Sequence, residues 1–175
     1  MPALNSTSEA LPHITDKKAV ELFSRHKVFT ESELISRRDV KLNTYSKTLK
    51  IEALTMLEMT KRDILPAVIK FKSKLASEIN ALSAIGAEMD CSVEKALLIK
   101  ISKLTVKLGR ALKTLEQLTE RSDDFSTNQA EADYYNDKMV PAMDALRTVV
   151  DELETLVARE DWPYPSYTEM LYSVR

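Results

Sequence analysis

Few residues in this 175-residue chain have the types and spacing that catalysis or metal binding requires. The two histidines, His13 and His26, lie in the N-terminal fifth, and neither belongs to the Glu-x-x-His pattern of helical di-metal sites. Cys91 is the single cysteine, and no histidine follows it in the sequence to serve as its base. We interpret the histidines as surface or interface residues and Cys91 as a small residue in a turn. The sequence therefore predicts no catalytic, cofactor-binding or metal-binding residue.

Glycine is rare in the chain, with two residues, Gly86 and Gly109. Hairpin turns and phosphate-binding loops need glycine where the backbone takes a positive φ. The patterns Gly-x-x-x-x-Gly-Lys, Gly-x-Gly-x-x-Gly and Gly-x-Ser-x-Gly are absent. Apolar residues make up 44% and charged residues 30% of the chain, as in a folded domain. The composition favours long helices joined by few connections.

Two rows of charge have regular helical spacing. The formal net charge is −2, so there is no global case for nucleic-acid binding, and the basic row has no interleaved aromatic residues on which bases could stack. We interpret the rows as flanks of a helix–helix seam that select the pairing, with binding of an anion or a nucleic acid by the basic row as the alternative. The basic row is Lys100, Lys103, Lys107 and Arg110, and the acidic row is Asp137, Asp144 and Asp151.

Apolar side chains recur at spacings of three, four and seven residues in three stretches, which indicates three long amphipathic helices. The first stripe is Ile35, Leu42, Tyr45, Leu49, Ala53, Met56, Leu57, Ile64, Val68, Phe71, Leu75, Ile79 and Leu82. The second is Leu97, Ile101, Leu104, Leu108, Leu112 and Leu115. The third is Ala132, Tyr135, Met139, Met143, Leu146, Val150, Leu153 and Val157.

Capping residues predict where these helices begin. In the capping box of Thr30 and Glu33, each side chain accepts a hydrogen bond from the other residue's backbone N–H. A second box is expected at Ser126 and Gln129. We expect helix starts at Asp16, for a short helix that ends near His26, at Thr30, at Asp90 or Ser92, and at Ser126.

Two prolines lie inside the helical stretches. Pro66 and Pro141 lack an N–H donor and clash with the preceding turn, so we expect kinks there, the first between Arg62 and Leu65. The predicted fold is all-α, an antiparallel up-down-up bundle of three long helices with a short N-terminal helix and an irregular C-terminal tail. We assign residues 1–29 to a linker and short helix, 30–158 to the bundle and 159–175 to the tail.

The tail concentrates aromatic side chains in the sequence WPYPSY at residues 162–167, where two prolines prevent regular helix. Aromatic side chains are costly to leave in water, so we expect these residues to be buried in a contact. Two interpretations stay open: the tail folds back to cap its own bundle, or it docks on a partner. The candidate interaction residues of the tail are Trp162, Tyr164, Tyr167, Leu171 and Tyr172.

Two segments resemble the C-terminal region of type III glutamine synthetases. The first is TYSKTLKIEALTMLEM at residues 44–59, which continues with ILPAVI at residues 64–69. The second combines YY at 134–135, VPAM at 140–143, DELE at 151–154 and WPYPSY at 162–167. FTESEL at 29–34 and Ser36-Arg37 also fit the family, and we add Arg37 to the candidate interaction residues.

The resemblance implies a non-catalytic domain of a larger enzyme. Members of the family join ammonia to glutamate with ATP and magnesium or manganese, and they assemble as homododecamers. Their catalytic and cofactor-binding residues lie upstream of this region, so none is carried over and this chain is expected to be no enzyme alone. The implied partners are the catalytic domain of the same enzyme and neighbouring subunits. From the residues themselves, the polar N-terminal stretch and the lack of a segment long enough to span a membrane favour the cytoplasm, and we expect no nucleic-acid or membrane partner. The alternative is a free-standing helical adaptor or regulatory protein derived from such a domain.

Overall fold

In the computed structural model, the described residues are 4–86, 90–121, 125–165 and 167–172, with the backbone alone described for Tyr167 and Thr168. All regular elements in these ranges are helical, which confirms the all-α prediction. The α-helices are α1 Thr7–Ala10, α2 Lys17–Arg25, α3 Glu31–Met59, α4 Leu65–Ile85, α5 Ser92–Glu120, α6 Asn128–Tyr134, α7 Val140–Glu154 and α8 Tyr167–Tyr172. Leu11–Thr15 and Arg159–Asp161 are 3₁₀ turns, and Thr60–Ile64 and Tyr135–Met139 are π-helical turns.

The chain forms two compact units. The first unit comprises Met1–Thr55 and Leu115–Met143. Its interior includes a cluster of Leu11, Leu42 and Ala132, against which Ile14 and Tyr45 pack. This cluster joins the 3₁₀ turn after α1 to α3 and α6.

The second unit comprises Met56–Thr114 and Asp144–Arg175. The predicted stripes supply most of its buried apolar residues, which confirms the helical periodicity read from the sequence. Those with less than a tenth of their surface exposed are Leu57, Ile64, Val68, Leu75, Ile79, Ile101, Leu104, Leu108, Leu112, Leu146, Leu153 and Val157. Burial of such side chains is the main stabilising contribution to a bundle.

The prediction that Ile35 begins the first buried stripe is wrong. Ile35 is 39% exposed, whereas the preceding Leu34 is 1% exposed. Successive residues of an α-helix lie 100° apart, and Leu34 is the neighbour that faces the interior. The stripe therefore begins one residue earlier than the sequence pattern indicated.

The capping box at Thr30 is confirmed. The Thr30 N–H donates to Glu33 Oε2 at 2.7 Å, and the Glu33 N–H donates to Thr30 Oγ1 at 3.4 Å. The backbone hydrogen bond from Thr30 lowers the pKa of Glu33, because it stabilises the carboxylate. The start of α5 is also as expected, since the Ser92 N–H donates to Asp90 Oδ1 at 2.9 Å.

The second predicted capping box is wrong by one residue. The cap of α6 is Thr127, whose hydroxyl accepts the Ala130 N–H at 3.1 Å. The Gln129 side chain does not reach back to the cap. Its amide donates instead to the Ser8 carbonyl at 3.0 Å and to Asp133 Oδ1 at 2.9 Å. A long-range hydrogen bond thus replaces the local one.

The two internal prolines are accommodated by π-helical turns. Pro66 follows Thr60–Ile64 by two residues, and Pro141 follows Tyr135–Met139 by two residues. In an α-helix the proline ring meets the carbonyl four residues earlier. That carbonyl belongs here to a residue of the π turn, whose i→i−5 hydrogen bonds widen the backbone. The α-helical pattern is thus interrupted before each proline, as expected, and each interruption is a π-helical turn.

Candidate functional site

The tail is attached to α4 through one buried carboxylate. Asp161 closes the 3₁₀ turn Arg159–Asp161, and its side chain is 1% exposed. Lys74 Nζ lies 2.7 Å from Asp161 Oδ2 and 3.0 Å from Oδ1, and Lys70 Nζ lies 3.1 Å from Oδ1. The two lysines are four residues apart, so they share one face of α4. The hydrogen bond from Lys74 is the largest cause that lowers the pKa of Asp161.

A second attachment joins the tail to the π turn Thr60–Ile64. The Tyr164 hydroxyl donates to Asp63 Oδ2 at 2.8 Å. Burial raises the pKa of Tyr164 to about 12, and the hydrogen bond to Asp63 and the charge of its carboxylate add to that shift. Trp162 lies between Asp161 and Tyr164 in the sequence, is half-buried and lines a small pocket with Val157. The tail up to Pro165 therefore folds back on its own unit.

The end of the tail is different. Helix α8 is linked to the preceding turn by an ion pair between Glu169 and Arg159. Leu171 and Tyr172 are both 76% exposed, and Met170 is 55% exposed. An apolar surface of this kind faces water at the end of an otherwise attached segment.

The structure thus divides the candidate residues. Trp162 and Tyr164 belong to the attached part of the tail, as the self-capping interpretation requires, and Leu171 and Tyr172 belong to the exposed part. The Tyr167 backbone begins α8, and its side chain lies outside the described residues. Arg37 lies in the first unit, where its guanidinium stacks on the Phe29 ring at 4.2 Å from the centroid.

Sequence reasoning missed the residues that fix the tail. Lys70 and Lys74 form an i, i+4 pair, and Asp161 precedes Trp162, but many exposed residues show the same spacing. Nothing local indicates which carboxylate packs over which helix. A charge that is buried beside two cations is a property of the tertiary structure.

The basic and acidic rows do not pair as predicted. The ion pair between α5 and α7 joins Lys100 Nζ to Glu152 Oε1 at 3.1 Å, with a carboxylate outside the acidic row. Asp151 pairs instead with Arg147 of its own helix at 3.5 Å. Within the described part of the chain, Lys103 and Lys107 form no ion pair. Glu152 follows Asp151 by one residue, and the seven-residue spacing of the acidic row did not identify it.

The family model of the glutamine synthetase C-terminal domain matches residues 1–83. A glutamine synthetase of Butyrivibrio fibrisolvens is 31% identical over 175 residues, covering 100% of this chain and 25% of that protein. The chain belongs to the glutamine synthetase C-terminal domain family. The resemblance to the C-terminal region of glutamine synthetases, stated from the sequence, is confirmed. A type-3 glutamine synthetase of Dictyostelium discoideum is 28% identical over 173 residues, covering 97% of this chain and 24% of that protein. A glutamine synthetase of Bacteroides fragilis (strain YCH46) is 24% identical over 169 residues, covering 94% and 23%.

The chain spans about a quarter of the length of the curated relatives that it matches. The family model ends two residues before α4 does, so it includes Asp63, Lys70 and Lys74 and stops before the tail. The matches to the Butyrivibrio and Dictyostelium proteins cover 100% and 97% of the chain and so extend into the tail.

Two further observations concern ligands and membranes. In residues 4–86, 90–121, 125–165 and 167–172, no three His, Cys, Asp or Glu side chains are grouped so that they could hold a metal ion. None of the helices described there combines the length and apolar character of a membrane span.

The sequence analysis also singled out His13 and Cys91. His13 contacts Asp16, with 2.8 Å between Nδ1 and Oδ2, and Cys91 is buried.

Proposed function

We propose that this chain is the non-catalytic C-terminal domain of a cytoplasmic type III glutamine synthetase, an ATP-dependent glutamate–ammonia ligase. The observation that carries the proposal is similarity over nearly the whole chain to about a quarter of the Butyrivibrio and Dictyostelium proteins, the second named as type-3. In this proposal ATP, with magnesium or manganese, binds in the rest of the enzyme. This domain packs on the catalytic region and supports contacts between subunits.

The exposed end of the tail is the surface we assign to this packing. Leu171 and Tyr172 leave most of their side chains in water, and burial of apolar surface contributes roughly 25 cal/mol per Å². The ion pair of Asp161 with Lys74 holds the start of the tail against α4. Less conformational entropy is therefore lost when α8, which follows in the chain, docks on a partner. Aromatic anchors of this kind commonly dominate the energetics of an interface.

A chimeric enzyme tests the proposal. This chain replaces the matching C-terminal quarter of the Butyrivibrio glutamine synthetase, and ATP-dependent glutamine formation and oligomer mass are measured. We expect an active, assembled enzyme, with loss of assembly when Leu171→Asp and Tyr172→Asp are introduced together. The matched control is Val93→Asp in α5, because Val93 is also about three-quarters exposed. The 175-residue chain alone should form no glutamine.

Two results would contradict the proposal. One is glutamine formation by the purified chain that a point mutation in it abolishes. The other is a chimera that neither assembles nor shows activity although the chain within it is folded, as judged by circular dichroism. Unfolding of the isolated Leu171→Asp/Tyr172→Asp variant should match the parent chain, since these side chains are exposed.

A further inference from the structure

An exposed face of α5 combines cations with apolar side chains. Lys103, Lys107 and Arg110 follow one another at helical spacing, and each is exposed. Val106 lies among them and is 55% exposed, as is Ile99 about two turns earlier. In the part of the chain that the structure describes, the three cations form no ion pair. This face of the second unit is therefore charged and partly apolar, and its cations have no ion-pair partner among the described residues.

A complementary face lies on α7. Asp144 and Asp151 are exposed and seven residues apart, which corresponds to about 10.5 Å along a helix. Lys103 and Arg110 have the same separation. Asp151 contacts a cation of its own helix at 3.5 Å, and Asp144 forms no ion pair with the described residues. The contact between α5 and α7 within the chain uses Lys100 and a different carboxylate.

We propose that a second copy of this chain satisfies both faces, with Lys103, Lys107 and Arg110 of one copy against Asp144 and Asp151 of the other. A two-fold arrangement forms the same seam twice, because each copy carries both faces. Equal spacing lets the charges pair in one register, as flanking charges do in coiled coils. The proposal rests on the subunit contacts of the proposed function and adds to the exposed end of the tail a second surface that forms them.

The composition of the face favours a protein partner over a nucleic acid. Helix α5 contains no aromatic residue that could stack on a base, and the chain carries a net charge of −2. Val106 and Ile99 interrupt the cations with apolar surface, which a helix covers better than phosphate does. The acidic face of the same chain supplies the required charge at the required spacing.

Charge reversal in two separate chains tests the seam. Sedimentation equilibrium at low salt measures association of the parent chain, of Lys103→Glu/Lys107→Glu and of Asp144→Lys/Asp151→Lys. We expect each variant alone to associate at least about tenfold more weakly than the parent, because four or more exposed pairs become repulsive. An equimolar mixture should recover parental association, since each reversed face then meets its complement. Recovery in the mixture distinguishes pairing between copies from pairing within one chain.

The matched control is Lys41→Glu/Lys47→Glu, which makes the same change in net charge at exposed positions of α3 in the first unit. This control should associate as the parent does. A parent chain that stays monomeric at low salt, or a mixture that does not recover, overturns the inference. A salt-sensitive nucleic-acid complex of a monomeric parent, abolished by Lys103→Glu/Lys107→Glu, overturns it in favour of nucleic-acid binding. An active chimera whose assembly ignores these reversals would refute the seam and leave the proposed function intact.

Discussion

The chain places a proline inside a helical stretch twice and accommodates it in the same way both times. Pro66 follows the π turn Thr60–Ile64, and Pro141 follows the π turn Tyr135–Met139. In each turn the residue before the proline donates its N–H to the carbonyl five residues back. The two turns lie in different units, so their common backbone geometry follows from the nearby proline and not from a common tertiary environment.

The side chains of the two turns are used differently. The first turn buries Thr60 and Ile64, and its exposed Asp63 accepts the hydrogen bond from Tyr164 of the tail. The second buries Tyr135 and Met139, and the Tyr135 hydroxyl has no hydrogen-bond partner among the described residues. The π-helical backbone of each turn therefore goes with the proline that follows it, whereas the contacts of its side chains depend on which element packs beside the turn.

The largest expected effect tests the shared device. Deletion of Lys138, an exposed residue of the second π turn, removes the extra residue and leaves an α-helical spacing before Pro141. The proline ring then meets the carbonyl four residues earlier, and we expect a loss of about 3 kcal/mol in the free energy of unfolding. Urea denaturation measures this loss.

Restoring an N–H donor should reverse most of that effect. The deletion combined with Pro141→Ala should recover about 2 kcal/mol or more, because alanine fits the α-helical spacing. Pro66→Ala and Pro141→Ala without deletion should each gain less than about 1 kcal/mol, since the π turn already relieves the clash. A gain of the full 3 kcal/mol in either single variant would mean that the π turns are incidental.

The tail contact of the first turn gives the next effect. Tyr164→Phe removes the hydrogen bond to Asp63 and should lower the free energy of unfolding by about 1 kcal/mol. Tyr164→Phe should also make Trp162 easier to quench with acrylamide, because the tail is then less firmly attached. An unchanged stability together with unchanged quenching would show that Asp63 does not hold the tail.

The same contact predicts a pH dependence. The pKa of Tyr164 is raised to about 12 in the folded chain, against about 10 for tyrosine in an unfolded one. Between these values the unfolded state loses its proton first, so the contribution of Tyr164 is fully present below pH 10 and is lost as the pH rises towards 12. Burial also raises the pKa of Tyr45 and of Tyr134, so the parent should show several late tyrosine transitions in an ultraviolet titration. The component near pH 12 should be missing from Tyr164→Phe.

The sequence predicted the parts of the fold that depend on local pattern. The apolar stripe from Ile101 to Leu115 and the Thr30 capping box rely on residues within a few positions of each other, and both are confirmed. A proline marks an interruption, but the sequence does not say whether a kink or a π turn results. The Asp161 attachment joins residues 87 positions apart, and no local rule selects that pair.

The smallest expected effect tests whether the second π turn, unlike the first, lacks a polar contact. Tyr135 is completely buried, and its hydroxyl lacks a partner among the described residues, so Tyr135→Phe removes a polar group that makes no compensating bond there. We expect the free energy of unfolding to stay unchanged or to rise by up to about 1 kcal/mol. The matched control is the adjacent Tyr134→Phe, which loses a hydrogen bond to the Leu118 carbonyl at 2.8 Å and should destabilise by about 1 kcal/mol. If Tyr135→Phe destabilised the chain as much as Tyr134→Phe, the hydroxyl would have a partner in solution, and the second turn would hold a polar contact as the first does.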